Sequence, residues 1–452
     1  MTDTIAGFSG RVITRHDRDY PAARTIWNQA HDRRPAVIAQ CRGRGDVAAA
    51  LRHARERGLP VAVRAGGHNF AGVASIQDGL VIDVRGLDGI TVDPAARTAR
   101  IGAGLTWGAV DRVLERHGLV TTGGSVSAVG VAGFTLGSGL GWLGRAHGLA
   151  GDNLIAAEVV TAAGDAVTAD ADHHPDLYWA LRGGTGNFGV VTAFTMRLFP
   201  LAGPVAGTLI YPIAEAPAVL RRLRDTIAGA PDAVNWAAVL TTAPQAPALP
   251  GDVRGRPVLL TPVFCAGSDP AARAALDRVR AIGRPVFGTV GPVPFRVFQT
   301  AADDSAPGGM SWDVRSEWLS ALDDAAIDHA VAMASASPSP LSEFLFRPLG
   351  GAVGGASAPG TPFSYRDAAF LTEVIANAPA GTPAPHRDWL EASLAGLLHL
   401  SSGGPDVSHI GIAEDPARVA RAFSPAVRDR LAAVKRAYDP DKVFGSVPYP
   451  LS

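Results

Sequence analysis

Asp176-Leu-Tyr-Trp-Ala-Leu-Arg-Gly-Gly-Thr-Gly-Asn-Phe-Gly-Val-Val-Thr192 opens as a short amphipathic helix, turns on glycines and leaves as a strand. Alone, such a unit can be purely structural. Two glycine clusters upstream change its weight. Arg64-Ala-Gly-Gly-His-Asn69 follows the short strand expected over residues 59–63, and its paired glycines let backbone N–H groups approach a ligand closely. His68 in that loop reads either as a hydrogen-bonded turn residue or as a functional one. The second cluster, Thr122-Gly-Gly-Ser-Val-Ser-Ala-Val-Gly-Val-Ala-Gly133 with Thr135-Leu-Gly-Ser-Gly-Leu-Gly141, packs seven glycines between positions 123 and 141. So many exposed N–H donors suit a pyrophosphate; the alternative is a glycine-rich packing corner. The literal GxGxxG at Gly139-Leu-Gly-Trp-Leu-Gly144 is not a Rossmann fingerprint, because no clear strand precedes it and no acidic residue closes a short βαβ unit behind it. A P-loop Lys-Ser/Thr is also missing.

Outward from these clusters, the chain divides loosely near residues 200 and 400. Its 452 residues predict two or three domains at roughly 100–200 residues each. Helices are expected over 46–56, stopped by Gly58, and over 107–117, capped by Thr106. Strands are expected over 80–84, with hairpins joining 90–92 to 98–101 and 153–161 to 166–169. Further on, 234–240, 258–264 and 343–347 read as strands, and 270–282, 325–334 and 386–398 as helices. A last helix is expected from the Ser424 cap and Pro425 to about Tyr438. Strands and helices mix without strict alternation, so the expected class is α+β rather than a doubly wound sheet.

Composition excludes several classes. Apolar residues make 47% and charged residues 18%, which rules out disorder as the main state. Lys+Arg 41 against Asp+Glu 42 gives a formal charge of −1, so neither nucleic acid nor an acidic membrane is expected as partner. Gly (52) and Pro (34) together make about a fifth of the chain with no collagen period, which implies many turns. Cys41 and Cys265 form neither a disulfide framework nor a thiolate metal site, so no metal is expected. No signal peptide or membrane span is visible, which gives a cytoplasmic expectation; oligomeric state is not readable.

Taken in order, the clusters resemble the berberine-bridge-enzyme-like FAD-linked oxidases of the vanillyl-alcohol-oxidase superfamily, with the PCMH-type FAD-binding fold. The resemblance covers about 24–200 and 400–445. It rests on Ile26-Trp-Asn28, Arg33-Arg-Pro-Ala36, Arg64-Ala-Gly-Gly-His68, Gly130-Val-Ala-Gly133, Gly139-Leu-Gly-Trp142, Gly148-Leu-Ala-Gly-Asp-Asn153, the Asp176–Thr192 stretch and Tyr438-Asp-Pro-Asp441. It implies an FAD-binding domain of two α+β subdomains over 1–200. A substrate domain over 201–400 would carry an antiparallel sheet backed by helices, and 401–452 would return to the FAD domain. It implies FAD contacts from Arg64, Ala65, Gly66, Gly67, His68, Asn69, Ser125, Val129, Gly130, Gly133, Gly137, Gly139, Gly141, Trp142, Asn153 and Val191, with His68 covalently attached through an 8α-histidyl bond. Many relatives add a 6-S-cysteinyl link. Val126 stands where that Cys would be, so one covalent link is expected. Val129 falls where the family lines its oxygen pocket, and a small β-branched residue there suits an oxidase.

The family's usual tyrosine base lies in a Tyr-Val-Asn-Phe type segment. The matching stretch here is Asp406-Val-Ser-His409, so Asp406 or His409 is the expected base. The bland alternative is a solvated Asp and a surface His. Strand alternation puts Glu343, Leu345 and Arg347 on one face. Arg347 there either holds a substrate carboxylate or enolate oxygen, or pairs with Glu343 or a neighbouring strand. Trp312, Tyr365 and Arg366 are further pocket candidates. The expected function is an oxidase that moves hydride from a small secondary-metabolite or sugar-like substrate to flavin N5 and reduces O2 to H2O2. The alternatives are an oxidative cyclase or oxygenating tailoring enzyme, and a non-redox flavin-bound scaffold.

Overall fold

The computed structural model describes residues 4–267, 269–355, 360–449 and 451. Among them the strands form four sheets. The first orders Arg11–Thr14, Val37–Gln40, Leu80–Asp83 and Val61–Arg64, with parallel pairing across its last three strands. The second is antiparallel and orders Ile90–Asp93, Thr98–Gly102, Val190–Arg197, Leu154–Val160 and Ala166–Ala169. A two-stranded pair joins Leu119–Val120 to Phe199–Pro200. The fourth sheet has eight antiparallel strands. Val290–Pro292 lies at one edge, followed by Val205–Pro212, Pro257–Cys265, Ala238–Thr242, Glu343–Pro348, Phe370–Pro379 and Met310–Leu319, while Val234–Trp236 pairs with Pro257–Cys265. The chain is α+β, as its pattern predicts.

Local chemistry sets the element ends. Helix Arg44–Arg57 buries Val47, Leu51 and Ala54 on one side. It stops at Gly58, whose φ of +62° only glycine adopts cheaply and whose N–H caps Ala54 and Arg55 carbonyls. Asp269 accepts from the Ala272 amide at 2.8 Å and Pro270 follows, starting helix Pro270–Arg280. The strand expected over 234–240 falls into two pieces, Val234–Trp236 and Ala238–Thr242, on either side of Ala237. The register runs on unbroken, but the facing residue is Pro262, which accepts from Ala237 (3.0 Å) and has no N–H to return.

Helices Ala216–Ile227, Pro270–Arg280, Asp324–Ser335 and Arg387–Ala395 back the large sheet, and Leu220, Leu276, Ile327, Phe344, Phe346 and Val374 fill the layer between. A separate core joins the first two sheets. The last helix, Pro425–Tyr438, packs on that core. Its Lys435 ammonium is buried against Asp439 (2.6 Å) and donates to the Asn187 and Phe444 carbonyls, so the C-terminal segment is bolted to the Gly-rich turn after Leu181. No helix among the described residues is long and apolar enough to cross a membrane.

Candidate functional site

A cavity of about 660 Å³ runs between the first two sheets and opens against the large sheet. Val61, Val63, Val84, Gly189 and Val191 line its inner end, loops 65–70 and 124–137 its middle, and the large sheet its outer wall.

The middle is built from backbone. Strand Val61–Arg64 ends and the chain crosses loop 123–130. A Cβ on Gly66 would stand 2.5 Å from the Gly130 amide nitrogen, and one on Gly130 equally close to Gly66 N. Neither position has room for a side chain. Behind the loop, Trp107 fills the space under Gly123 and Gly124. His68 points into the cavity and stacks on Trp27 with centroids 4.2 Å apart, and Trp27 stacks in turn on Trp312 at 5.0 Å. Burial pushes the His68 pKa down to about 4, so its imidazole is neutral with a free lone pair. Ser127 donates to Asp303 from both its amide (2.7 Å) and hydroxyl (2.6 Å), which ties this loop to turn Thr300–Ser305.

Ala65, Gly66, Gly67, His68, Asn69, Ser125, Val129, Gly130, Gly133, Gly137, Trp142 and Val191 all line the cavity. Four expected contacts stand behind that lining instead. Arg64 is buried and donates to the carbonyls of Ala23 and Thr25, both at 2.6 Å, so its charge clamps the segment before Trp27. Asn153 donates to the His147 and Leu149 carbonyls. Gly139 (φ +72°) and Gly141 are small because Phe134 and the Gly123 carbonyl press on them. These four shape the loops and do not face the space.

The outer wall is built from charge. Glu343, Leu345 and Arg347 face the cavity from strand Glu343–Pro348, and Glu373 and Ile375 from strand Phe370–Pro379. Arg347 pairs with Glu373 at 2.5 Å and donates to the Ser125 hydroxyl at 3.3 Å. Of the readings open for Arg347, the ion pair to a neighbouring strand is the one formed. Glu373 also holds His409 Nε2 at 2.9 Å, and His409 Nδ1 meets Asp406 at 2.6 Å. Asp406 and His409 are neither solvated nor on the surface: Asp406 is buried and caps the turn Val407–His409, and His409 lines the cavity. Two carboxylates outweigh burial and lift the His409 pKa to about 10, while Arg347 and His409 outweigh burial and pull Glu373 down to about 2. At neutral pH this is an alternating chain of two cations and two anions.

That chain changes the chemistry open to the expected base. His409 cannot take up a proton as a base, because its ring is already protonated and both N–H groups are held by Glu373 and Asp406. Asp406 is committed to His409 and to the Ser408 amide (3.2 Å). Glu373 was missed in the sequence, as were the strands Phe370–Pro379 and Met310–Leu319. The second carried a usable signal: Trp312, Val314 and Trp318 alternate with Ser311, Asp313, Arg315 and Glu317. Of the weaker pocket candidates, Trp312 lines the cavity. Arg366 pairs with Asp152 at 2.6 Å and Tyr365 packs with Trp318 and Leu349, both away from it. Among the described residues no His/Cys/Asp/Glu group is placed to hold a metal ion.

Comparison with known proteins gives concordant results. The profile of an FAD binding domain matches residues 35–170. The (R)-6-hydroxynicotine oxidase of Paenarthrobacter nicotinovorans is 30% identical over 473 aligned residues, covering 98% of this chain and 96% of the relative. An FAD-dependent monooxygenase of Fusarium proliferatum is 42% identical over 195 residues, covering 42% of this chain and 38% of the relative. The crystal structure of 6-hydroxy-D-nicotine oxidase from Arthrobacter nicotinovorans superposes with a TM-score of 0.88 at 28% identity, covering 100% of this chain and 99% of that one. A xylooligosaccharide oxidase from Myceliophthora thermophila shares the fold, with a TM-score of 0.84 at 21% identity over 98% of this chain and 97% of its own.

Proposed function

This chain belongs to the berberine-bridge-enzyme-like FAD-linked oxidases of the vanillyl-alcohol-oxidase superfamily, and we propose that it is an oxidase that carries its FAD on His68 and uses O2 as acceptor. The cavity suits a flavin dinucleotide on its own geometry. A slot between two sheets leads past crossed glycine loops, where a Cβ would fill the space, to a neutral imidazole. Loops 65–70 and 124–137 would hold the FAD, with Val191 at the inner end. Val126 lines the same loop and has no sulfur, which supports a single covalent link. When bound, the flavin accepts hydride from the substrate and passes two electrons to O2.

The chain's own residues do the rest. Arg347, whose guanidinium lines the cavity, presents the N–H donors that can meet a substrate oxygen as it gains negative charge. Glu373 holds Arg347 in place, and Glu373 and Asp406 together hold the His409 ring and keep it protonated. Trp27, Phe70 and Trp312 wall off water beside His68. The same reading divides the chain into an FAD-binding part over 1–200, a substrate part over 201–400 and a returning segment over 401–452. The Lys435 bolt supports the return. The substrate class is a small secondary metabolite or a sugar-like molecule, acting without nucleic-acid or membrane partners in the cytoplasm.

The observation that carries the proposal is the convergence of His68 and the Arg347–Glu373–His409 chain on one cavity. The test needs no substrate. The yellow protein is reduced with dithionite without air and then mixed with O2. Fast reoxidation with one H2O2 per flavin is expected; slow reoxidation contradicts an oxidase. A second reading, an oxygenating tailoring enzyme, draws on the monooxygenase relative and on Val126. It predicts substrate turnover in which O2 uptake exceeds H2O2 release.

A further inference from the structure

The alternating chain leaves out one carboxylate on the wall. Arg347, Glu373, His409 and Asp406 balance one another in charge, and both His409 nitrogens are taken within the chain. Glu343 lines the cavity outside that chain, opposite Ile375 in the sheet register. Its near neighbours are Arg347 on its own strand, Glu373 on the next, and Ser305, which is within hydrogen-bonding reach. Ser305 ends the turn whose Asp303 holds Ser127, while Arg347 reaches Ser125. Glu343 and Arg347 therefore flank one short loop, 125–127, beside the proposed flavin ring. Burial and Glu373 lift the Glu343 carboxyl to about 7 against the pull of Arg347 and Ser305. Beyond Glu343 the wall is apolar, built by Ile210, Val239, Leu249, Leu260 and Phe287. A sugar buried there would lose water from hydroxyls that find few partners.

We propose that the substrate is an apolar alcohol, seated against this wall, and that Glu343 takes its hydroxyl proton. The proposal rests on the flavin-oxidase reading above. In the step, the O–H proton goes to the carboxylate, and the hydrogen on the same carbon leaves with its bonding pair for the flavin. The carbinol becomes a carbonyl, losing two electrons and two protons in all. O2 is the final oxidant and leaves as H2O2. Arg347 faces the oxygen as its charge develops.

The test uses the purified holoprotein without air, with 4-phenylbenzyl alcohol as the apolar probe and cellobiose as the polar one. The expected result is a saturable shift and bleaching of the visible flavin band with the first and neither with the second. Glu343→Gln should keep the wild-type flavin spectrum and melting temperature. Its bleaching should slow by at least ~100-fold, and the acidic limb near pH 7 should vanish from its pH profile. Glu343→Asp should restore part of the rate. The proposal is overturned if cellobiose is the better donor, if the aromatic alcohol gives no shift or binds without bleaching, or if Glu343→Gln keeps the rate and profile. A colourless protein would instead sink the flavin reading. The Glu343 claim is then read by infrared difference spectroscopy: a carboxyl band absent from Glu343→Gln should titrate near pH 7, and a band already ionised at pH 5 overturns it.

Discussion

Along loops 65–70 and 124–137 the cavity meets backbone and one neutral ring. Along strands Glu343–Pro348 and Phe370–Pro379 it meets paired charge. The two linings obey different physics. The loops come close only because Gly66 and Gly130 carry no side chains, so steric room decides their shape. The wall keeps its shape because each charge has a partner, so desolvation decides it. Damage to the first should cost the cofactor; damage to the second should cost stability and rate while the cofactor stays.

The largest effect on the cofactor is expected at the crossing. Gly66→Ala puts a Cβ 2.5 Å from Gly130 N, and overpacking of this kind costs ~1–3 kcal/mol or more. The purified variant should be colourless with a lowered melting temperature. A yellow variant with an unchanged melting curve would break the link between the crossing and the cofactor.

Arg347→Ala should act in the opposite way. It leaves Glu373 with half its partners, and breaking a buried pair costs about 3–5 kcal/mol. Arg347 is partly open to the cavity, so the low end of that range applies. The melting temperature should drop while the flavin absorbance per protein stays at the wild-type value. The pH dependence of the wall follows from its shifted groups. Glu373 lies below its ordinary 4.5, so its contribution is whole above that value and is lost as pH falls through about 2. His409 lies above its ordinary 6.5, so its contribution is whole below that value and is lost as pH rises through about 10. Between about pH 4.5 and 6.5 Glu373 and His409 both contribute in full. Melting curves of His409→Asn should lack the alkaline loss.

A third test bears on the contrast between paired and unpaired charge. Asp111 sits in helix Trp107–Glu115 behind the glycine loop, buried, with no hydrogen-bond partner on either oxygen. Burial lifts its pKa to about 8 from 3.8, so the fold keeps it protonated and loses stability as pH rises between those values. Asp111→Asn should flatten that slope, gaining stability at pH 8 and little at pH 4. An unchanged slope would mean the carboxyl has a partner in solution.

These two linings also explain what could be read in advance. The glycine loops are local in sequence, since each fits within about twenty residues and its composition carries the message. His68 and most of the lining of the middle were therefore legible. Arg64 was misjudged because a motif names the positions that matter and not the direction a side chain takes; its guanidinium turned to Ala23 and Thr25. The wall draws Arg347, Glu373 and His409 from segments far apart in the chain, and no local pattern announces that register. Glu373 interrupts an apolar strand, so Phe370–Pro379 hid its own centre. Asp406 and His409 were found only through their place in the resemblance, and the bond from His409 to Glu373 had no sequence signal.

We expect the crossed loops to hold a flavin whose ring end is tethered at His68, and the absorbance of acid-precipitated wild type and His68→Ala reads that tether. Yellow colour in the wild-type pellet, and its release to the supernatant from His68→Ala, is the expected result. Colour released from the wild type, or retained by His68→Ala, would contradict the tether.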